Sequence, residues 1–186
     1  MIDVLQIDLL DEQACTALRA ELREAAGAAA GLLGENGARP QVRRVTRAAV
    51  APVACERMTR LLMAQTEALE RHFGLALGEC EEPQFLRYQT GDFFVAHQDG
   101  NTALIRDQSR FRKISVVIFL SPQSEAPAPG TYGGGALVLH GPYSGPPLRL
   151  PLAPAPGTLV AFRAETTHEV TPVTHGERFT IVSWFR

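Results

Sequence analysis

Three side chains far apart in the chain have the types and spacing to hold a metal ion. His97 and Asp99 flank Gln98 in GDFFVAHQDG, and His168 stands in RAETTHEV. Two imidazoles and one carboxylate form the facial triad that binds non-haem Fe(II) and leaves three coordination positions open. Arg178 follows in RFTIVSWFR. A planar guanidinium grips a carboxylate through two parallel hydrogen bonds, and inside a barrel it is costly without an anion. Fe(II) with two neutral imidazoles and one carboxylate keeps a single net positive charge. A 2-oxo acid can chelate it through the keto oxygen and the adjacent carboxylate, with one position kept for dioxygen. If that acid is a dicarboxylate, Arg178 suits its far end, and the chemistry on offer is hydroxylation of a C–H bond.

The elements that position these groups are legible in outline. His97 and Asp99 alternate on a strand, so both face one side while Gln98 points away, and Gly100 ends the segment near the mouth of a barrel. Only tertiary folding can bring His168 across. On the last strand Arg178, Thr180, Val182 and Trp184 share one face, and Phe179, Ile181, Ser183 and Phe185 share the other. If the first set faces inward, Arg178 reaches the cavity of the triad.

The first third reads as helical. Asp11 is placed to cap a helix running through Cys15, Leu18, Leu22, Ala25 and Ala26, with Leu10 as its staple residue. Gly27, Gly31 and Gly34 loosen the chain into GENGARPQ, a loop. A second helix follows Pro52, with Met58, Leu61, Leu62, Gln65, Leu69 and Phe73 on one face and Gly74 or Gly78 at its end. From Pro83 the period changes to two. PQFLRYQ, DFFVAHQD, KISVVIFLS, GALVLHG, LRLPL, GTLVAFRA, HEVTPV and RFTIVSWFR read as strands, and SPQSEAPAPGTYGGG reads as a long surface loop. Helices packed outside a β-sandwich or short barrel are expected, in a single domain over 1–186 with helical support to about residue 80.

The 186 residues carry a net charge of −2, with 45% apolar and 20% charged residues. That balance fits a globular chain and gives no electrostatic reason to expect nucleic acid or an anionic membrane as partner. No run approaches the roughly 20 apolar residues that cross a bilayer, and MIDVLQIDLLDEQ lacks the layout of a signal peptide. The three cysteines, Cys15, Cys55 and Cys80, form no C-x-x-C pair. They read as free thiols of a reducing cytoplasm, which ferrous iron also needs.

Other polar groups read as bystanders. His72, His140 and His175 are expected to be structural or exposed, and Glu169 to turn away from the site. Arg43, Arg44 and Arg47 read as a solvated cluster in the loop before the second helix, with a lid over substrate as the other reading. The segment 100–112, with Arg106, Arg110 and Arg112, and the loop 121–134 are candidate lids.

FLRYQTGDFFVAHQD, RKISVVIFLSP with the following GGGALVLHG, and PGTLVAFRAETTHEVTPVTHGERFTIVSWF resemble the Fe(II)/2-oxoglutarate-dependent dioxygenases, the prolyl 4-hydroxylase group in particular. The resemblance covers about residues 83–186. It implies a mainly β fold, a double-stranded β-helix (jelly roll) backed by N-terminal helices. It implies that His97, Asp99 and His168 bind Fe(II), that Arg178 binds the distal carboxylate of 2-oxoglutarate, that Tyr88 lines that pocket and that Trp184 lies near the substrate. Some oxygen-sensing relatives use a tyrosine on the strand where this chain offers Phe119, and Thr180 is the candidate replacement. The expected activity is hydroxylation, with ascorbate in support, of a prolyl residue in a protein or peptide that is not collagen. A tailoring enzyme acting on a free amino acid or biosynthetic intermediate and a jelly-roll binding module without turnover are the alternatives. An alkylated-base demethylase is not expected, because Thr180 and Trp184 stand where that group carries asparagine and arginine. The chain is expected to act as a monomer or homodimer.

Overall fold

Period-two alternation from Gln84 onward builds two facing sheets. A computed structural model describes residues 2–30, 40–103, 105–141 and 148–186. The first part holds β1 (Val4–Asp8), α1 (Glu12–Glu24), β2 (Gly27–Ala29), β3 (Arg43–Arg44), β4 (Thr46–Ala48), α2 (Pro52–Met63) and α3 (Thr66–Phe73). Then come β5 (Gln84–Tyr88), β6 (Phe93–His97), a short 3-10 turn at Gln108–Phe111, β7 (Ile114–Phe119), β8 (Tyr132–Gly134) and β9 (Leu137–His140). The last are β10 (Arg149–Leu152), β11 (Thr158–Arg163), β12 (His168–Val170), β13 (Val173–Gly176) and β14 (Arg178–Phe185). The larger sheet has the order β1-β11-β7-β14-β5-β4-β2, the smaller β10-β9-β12-β6-β3, and β13 pairs with β8 apart from both.

Alternation on the large sheet decides what lies where. Ile114, Val116, Ile118, Phe179, Ile181 and Phe185 face outward and meet Cys15, Leu22, Met58, Leu62, Leu69 and Phe73 of the three helices. Val117, Phe119, Val160 and Phe162 face inward against Leu137, Leu139 and Leu152 of the small sheet. The helices thus brace the back of the large sheet, and the space between the sheets is left for the polar residues of β14. Among the described residues, no helix is long and apolar enough to cross a membrane.

Several expectations hold locally. Asp11 caps α1 by accepting from the Ala14 amide at 2.7 Å, and Gly74 ends α3 with φ 63°, a conformation that favours glycine. The three cysteines are free. Others are corrected. The first third is not purely helical, because β1 pairs antiparallel with β11 and β2–β4 extend both sheets. β2–β4, of two or three residues each, are too short for a period to show. Arg43 and Arg44 lie on β3 and Arg47 on β4, not in a loop. Most of the expected loop GENGARPQ falls at 31–39, outside the described residues. The second helix breaks at Ala64–Gln65, where the Thr66 hydroxyl donates to the Met63 carbonyl at 2.7 Å and satisfies an acceptor the continuing helix would have used. HEVTPV divides at Pro172 into strands of different sheets. The long loop before β9 contains β8, whose Tyr132 is buried.

Candidate metal centre

β12 lies between β9 and β6 and sets His168 directly opposite His97. Between the pairs His168–His97 and Val170–Phe94 the register slips by one residue. This β-bulge puts Phe94 and His97 on one face despite their odd separation, and their rings stack at 3.5 Å between centroids, 17° from parallel. Asp99 follows the strand end, its amide and that of Gly100 donating to the Ala164 carbonyl at 2.9 and 3.1 Å. Gln98 turns away, as expected, and donates to the Glu165 carbonyl at 2.7 Å.

The three functional groups converge. Nε2 of His97 is 3.5 Å from Asp99 Oδ1, and Nε2 of His168 is 3.3 Å from Asp99 Oδ2. One ligand atom from each residue lies within 4.8 Å of the others. Each imidazole donates through Nδ1–H to a carbonyl two residues upstream, His97 to Val95 at 2.8 Å and His168 to Thr166 at 2.9 Å. That bond fixes the ring and leaves Nε2 as the lone-pair nitrogen facing the centre. The Ser115 hydroxyl donates to Asp99 Oδ2 at 2.7 Å. Burial, then the charge of His168, hold the His97 imidazole below its ordinary value, against the pull of Asp99. Burial would raise the Asp99 carboxyl, but His168 and His97 outweigh it and hold it well below the usual carboxylate range. Burial would lower His168, but Asp99 outweighs it and raises it. A dication here meets a carboxylate already ionised at neutral pH and two oriented nitrogens, so the donor set fits Fe(II).

Between the sheets a cleft of about 450 Å³, counting its open mouth, joins the triad to Arg178, Thr180, Tyr88 and Trp184. Arg178 is fully buried, with its Cζ 4.9 Å from the Tyr88 ring centre and 5.1 Å from that of Phe119. Its Nη1 donates to Thr180 Oγ1 at 3.3 Å, while Nε is enclosed with no acceptor. Among the described residues no carboxylate pairs with it. The orphaned nitrogen is what a ligand carboxylate would satisfy. Gly135 permits this placement: a Cβ there would lie 3.0 Å from Arg178 Cδ, and its φ is +56°. Glu169 turns away, as expected, to Arg149 and His140. His72 pairs with Asp3.

Two arginines depart from expectation. Arg43 is buried and lines the cleft, with its Cζ 4.8 Å from the Phe94 ring centre, because β3 pairs with β6 and turns it inward. Arg44 and Arg47 stay outside, on Asp92 and Glu82. Arg112 is no mobile surface residue. It is buried, binds Glu81 through Nε at 2.9 Å and Nη2 at 2.6 Å, and lies 3.7 Å from the Trp184 ring centre. Arg106 and Arg110 are exposed, and Leu104 lies outside the described residues. Sequence reasoning missed Phe94, Ser115, Glu81 and Gly135. A lone hydroxyl at an inward position of KISVVIF was a usable signal for Ser115. The bulge that recruits Phe94 leaves none.

The sequence model of the 2OG-Fe(II) oxygenase superfamily matches residues 83–186, which include all of these cleft residues except Arg43. The chain belongs to this superfamily. A PKHD-type hydroxylase of Paracoccus denitrificans is 36% identical over 104 residues, 55% of this chain and 41% of the relative. The chain spans about half the length of the PKHD-type hydroxylases it matches. A Pseudomonas putida prolyl-4-hydroxylase superposes with a TM-score of 0.75 at 25% identity, over 100% of this chain and 94% of that one. A Trichoplax adhaerens prolyl hydroxylase, solved with a hypoxia inducible factor peptide fragment, gives a TM-score of 0.74 at 17% identity, over 100% and 84%. The sheets are thus the jelly roll of the 2OG oxygenases, as the sequence led one to expect.

Proposed function

We propose that this oxygenase uses Fe(II) and 2-oxoglutarate to hydroxylate an unactivated C–H bond, with a prolyl residue of a protein or peptide as its substrate. The observation that carries the reading is the meeting of His97, Asp99 and His168 within 4.8 Å, in one cleft with a buried arginine whose Nε has no acceptor. In this reading the triad holds iron, which when bound supplies dioxygen activation coupled to decarboxylation of the cosubstrate. Nδ1–H bonds to Val95 and Thr166 keep both imidazoles aimed. Arg178 fixes the far carboxylate of 2-oxoglutarate, with Thr180 orienting the guanidinium and the Tyr88 and Phe119 rings excluding water from it. Trp184 forms a wall for substrate. The prolyl assignment is supported by the likeness to the Pseudomonas putida prolyl-4-hydroxylase over nearly the whole of both chains.

The test supplies the purified protein with Fe(II), ascorbate and 2-oxoglutarate, then compares proline-containing peptides with free amino acids. Succinate formed in step with a gain of one oxygen atom on a prolyl peptide is expected, and Asp99→Ala should abolish both. Oxygen gain on free amino acids alone would overturn the substrate class. No succinate under any condition would overturn the activity.

A further inference from the structure

The lining of the cleft divides by role, and one charge is left over. His97, Asp99, His168 and Ser115 serve the metal, and Arg178, Thr180 and Tyr88 the cosubstrate. Apart from Arg43, every other described residue of the wall is aliphatic or aromatic, Leu86, Phe94, Val182 and Trp184 among them. Pockets of this kind hold the apolar part of a ligand by area and fix its orientation through a few polar groups. Among the described residues, Arg43 is the charged group in the position to do so.

Its distance from the metal centre is bounded by two ring contacts. β3 pairs Arg43 with Phe94 of β6. The Arg43 Cζ lies 4.8 Å from the Phe94 ring centre, and the His97 ring centre lies 3.5 Å from that same point. The guanidinium therefore stands no more than about 8.3 Å, the sum of the two, from the His97 ring. Neighbouring Cα atoms of a peptide are about 3.8 Å apart, so one residue step plus an acidic side chain covers that span. Arg43 is 9% exposed, so salt screens a charge pair made there less than one on the surface, and its planar fork matches a carboxylate. The distal carboxylate of the cosubstrate has its own arginine on the facing sheet, Arg178 of β14. Arg43 also lies outside the residues 83–186 that the superfamily's model matches, where substrate choice can vary without touching the oxygen chemistry.

We infer that Arg43 is a specificity-determining residue that binds a carboxylate of the substrate, about one residue away from the carbon that is hydroxylated. The inference rests on the hydroxylase reading and narrows its substrate class to prolyl peptides with an acid beside the target. That acid has two sources, the side chain of a neighbouring aspartate or glutamate and the α-carboxylate of a prolyl residue that ends a chain. Matched peptides separate them. One set places aspartate or asparagine on either side of the prolyl residue, and a second ends in proline as the free acid or the amide. Each is given to the intact chain with Fe(II), ascorbate and 2-oxoglutarate, and kcat and KM are read from succinate and oxygen gain. Binding is read separately on protein loaded with Zn(II) and 2-oxoglutarate, from the emission of Trp184, the chain's single tryptophan and part of the cleft wall.

At least one acid should bind about 10- to 100-fold more tightly than its amide, the range for hydrogen bonds to a charged group, and the difference should fall on KM rather than kcat. Arg43→Met should cut that preference to within about threefold, and Arg43→Lys, which keeps the charge without the fork, should retain part of it. A parent that treats every acid and its amide alike shows the inference to be wrong, and this outcome stands even where Arg43→Met fails to fold. Equal loss of acid and amide binding in Arg43→Met would reduce Arg43 to a support for the Phe94 ring and overturn its role in specificity. An equal loss of 2-oxoglutarate affinity would assign it to the cosubstrate and overturn that role too. A parent that forms no succinate with any peptide overturns the hydroxylase reading, while the Trp184 titrations still decide what Arg43 does.

Discussion

Arg178→Met tests the cosubstrate pocket in two directions at once. The guanidinium is 1% exposed, and of its five N–H donors only one has a protein acceptor among the described residues, at 3.3 Å. The two aromatic faces at 4.9 and 5.1 Å offset its desolvation by about 0.5–2 kcal/mol each. Without a ligand the residue is thus a net burden on folding. Methionine fills a similar volume; even for a buried ion pair, replacement by well-packed apolar side chains is often neutral or stabilising by about 1–4 kcal/mol, and an unpaired guanidinium has less Coulomb energy to lose. With 2-oxoglutarate the balance reverses. Removing one partner of a buried ion pair costs about 3–5 kcal/mol, and at about 1.4 kcal/mol per decade that is roughly two to three and a half decades of affinity. Arg178→Lys keeps the charge but loses the planar fork, and should lie between. Calorimetric titration of Zn(II)-loaded protein with 2-oxoglutarate measures the affinity, and a thermal melt of the ligand-free protein measures the stability. The expected pattern is a melting temperature equal to or above the parent's with 2-oxoglutarate binding nearly lost. A Met variant that binds within about threefold of the parent, under 1 kcal/mol on the same scale, would refute the role given to Arg178.

Two further outcomes follow. Ser115→Ala removes the hydroxyl that donates to Asp99 Oδ2 at 2.7 Å. It should weaken Co(II) binding about tenfold or more with the far-ultraviolet circular dichroism unchanged, whereas an unaltered titration would show that the imidazoles alone hold Asp99. Burial would raise the Glu81 carboxyl, but Arg112 and then Arg186 outweigh it and hold it below its ordinary 4.5. Because the folded value is the lower one, its stabilisation is full above the unfolded value and is lost as pH falls through the folded one. The stability gap between the parent and Glu81→Gln, read from urea midpoints, should stay flat across neutral pH and shrink below about pH 4. A gap that grows on acidification would contradict the pairing.

What the sequence made legible was what depends on period and residue type. Alternation put Arg178, Thr180 and Trp184 on one face of β14, and the structure turns that face into the cleft. His97 and Asp99 share a face because only Gln98 intervenes. His168 was found by its type and by the segment around it that runs on to Arg178 and Trp184, and its pairing opposite His97 is a product of the small sheet's order, which no local pattern encodes. Arg43 was misread for a related reason. Charge clusters usually mean a solvated face, but β3 is a two-residue strand whose direction is imposed by pairing with β6. Arg112 was misread because its partner Glu81 is remote in sequence, and a buried bidentate pair looks like two ordinary surface charges until the chain is folded.

The bulge in β6 shows why the site needs more than its motif. In a regular strand Phe93, Val95 and His97 would share a face, and the branched side chain of Val95 would stand next to the metal-side imidazole. The register slip between Phe94 and His97 changes this. Val95 is left 38% exposed, its amide donates to the Val42 carbonyl at 2.9 Å, and its own carbonyl receives the His97 Nδ1 proton. Phe94 takes the inward position and stacks flat on the imidazole. His97 is thereby held by three independent restraints: a ring beneath it, a carbonyl on Nδ1 and the strand pair with His168. Each removes a rotation that would carry Nε2 away from Asp99. A site that must bind a labile dication gains most from ligands that need not reorganise on binding. In this chain that preorganisation is supplied by one extra residue in a strand.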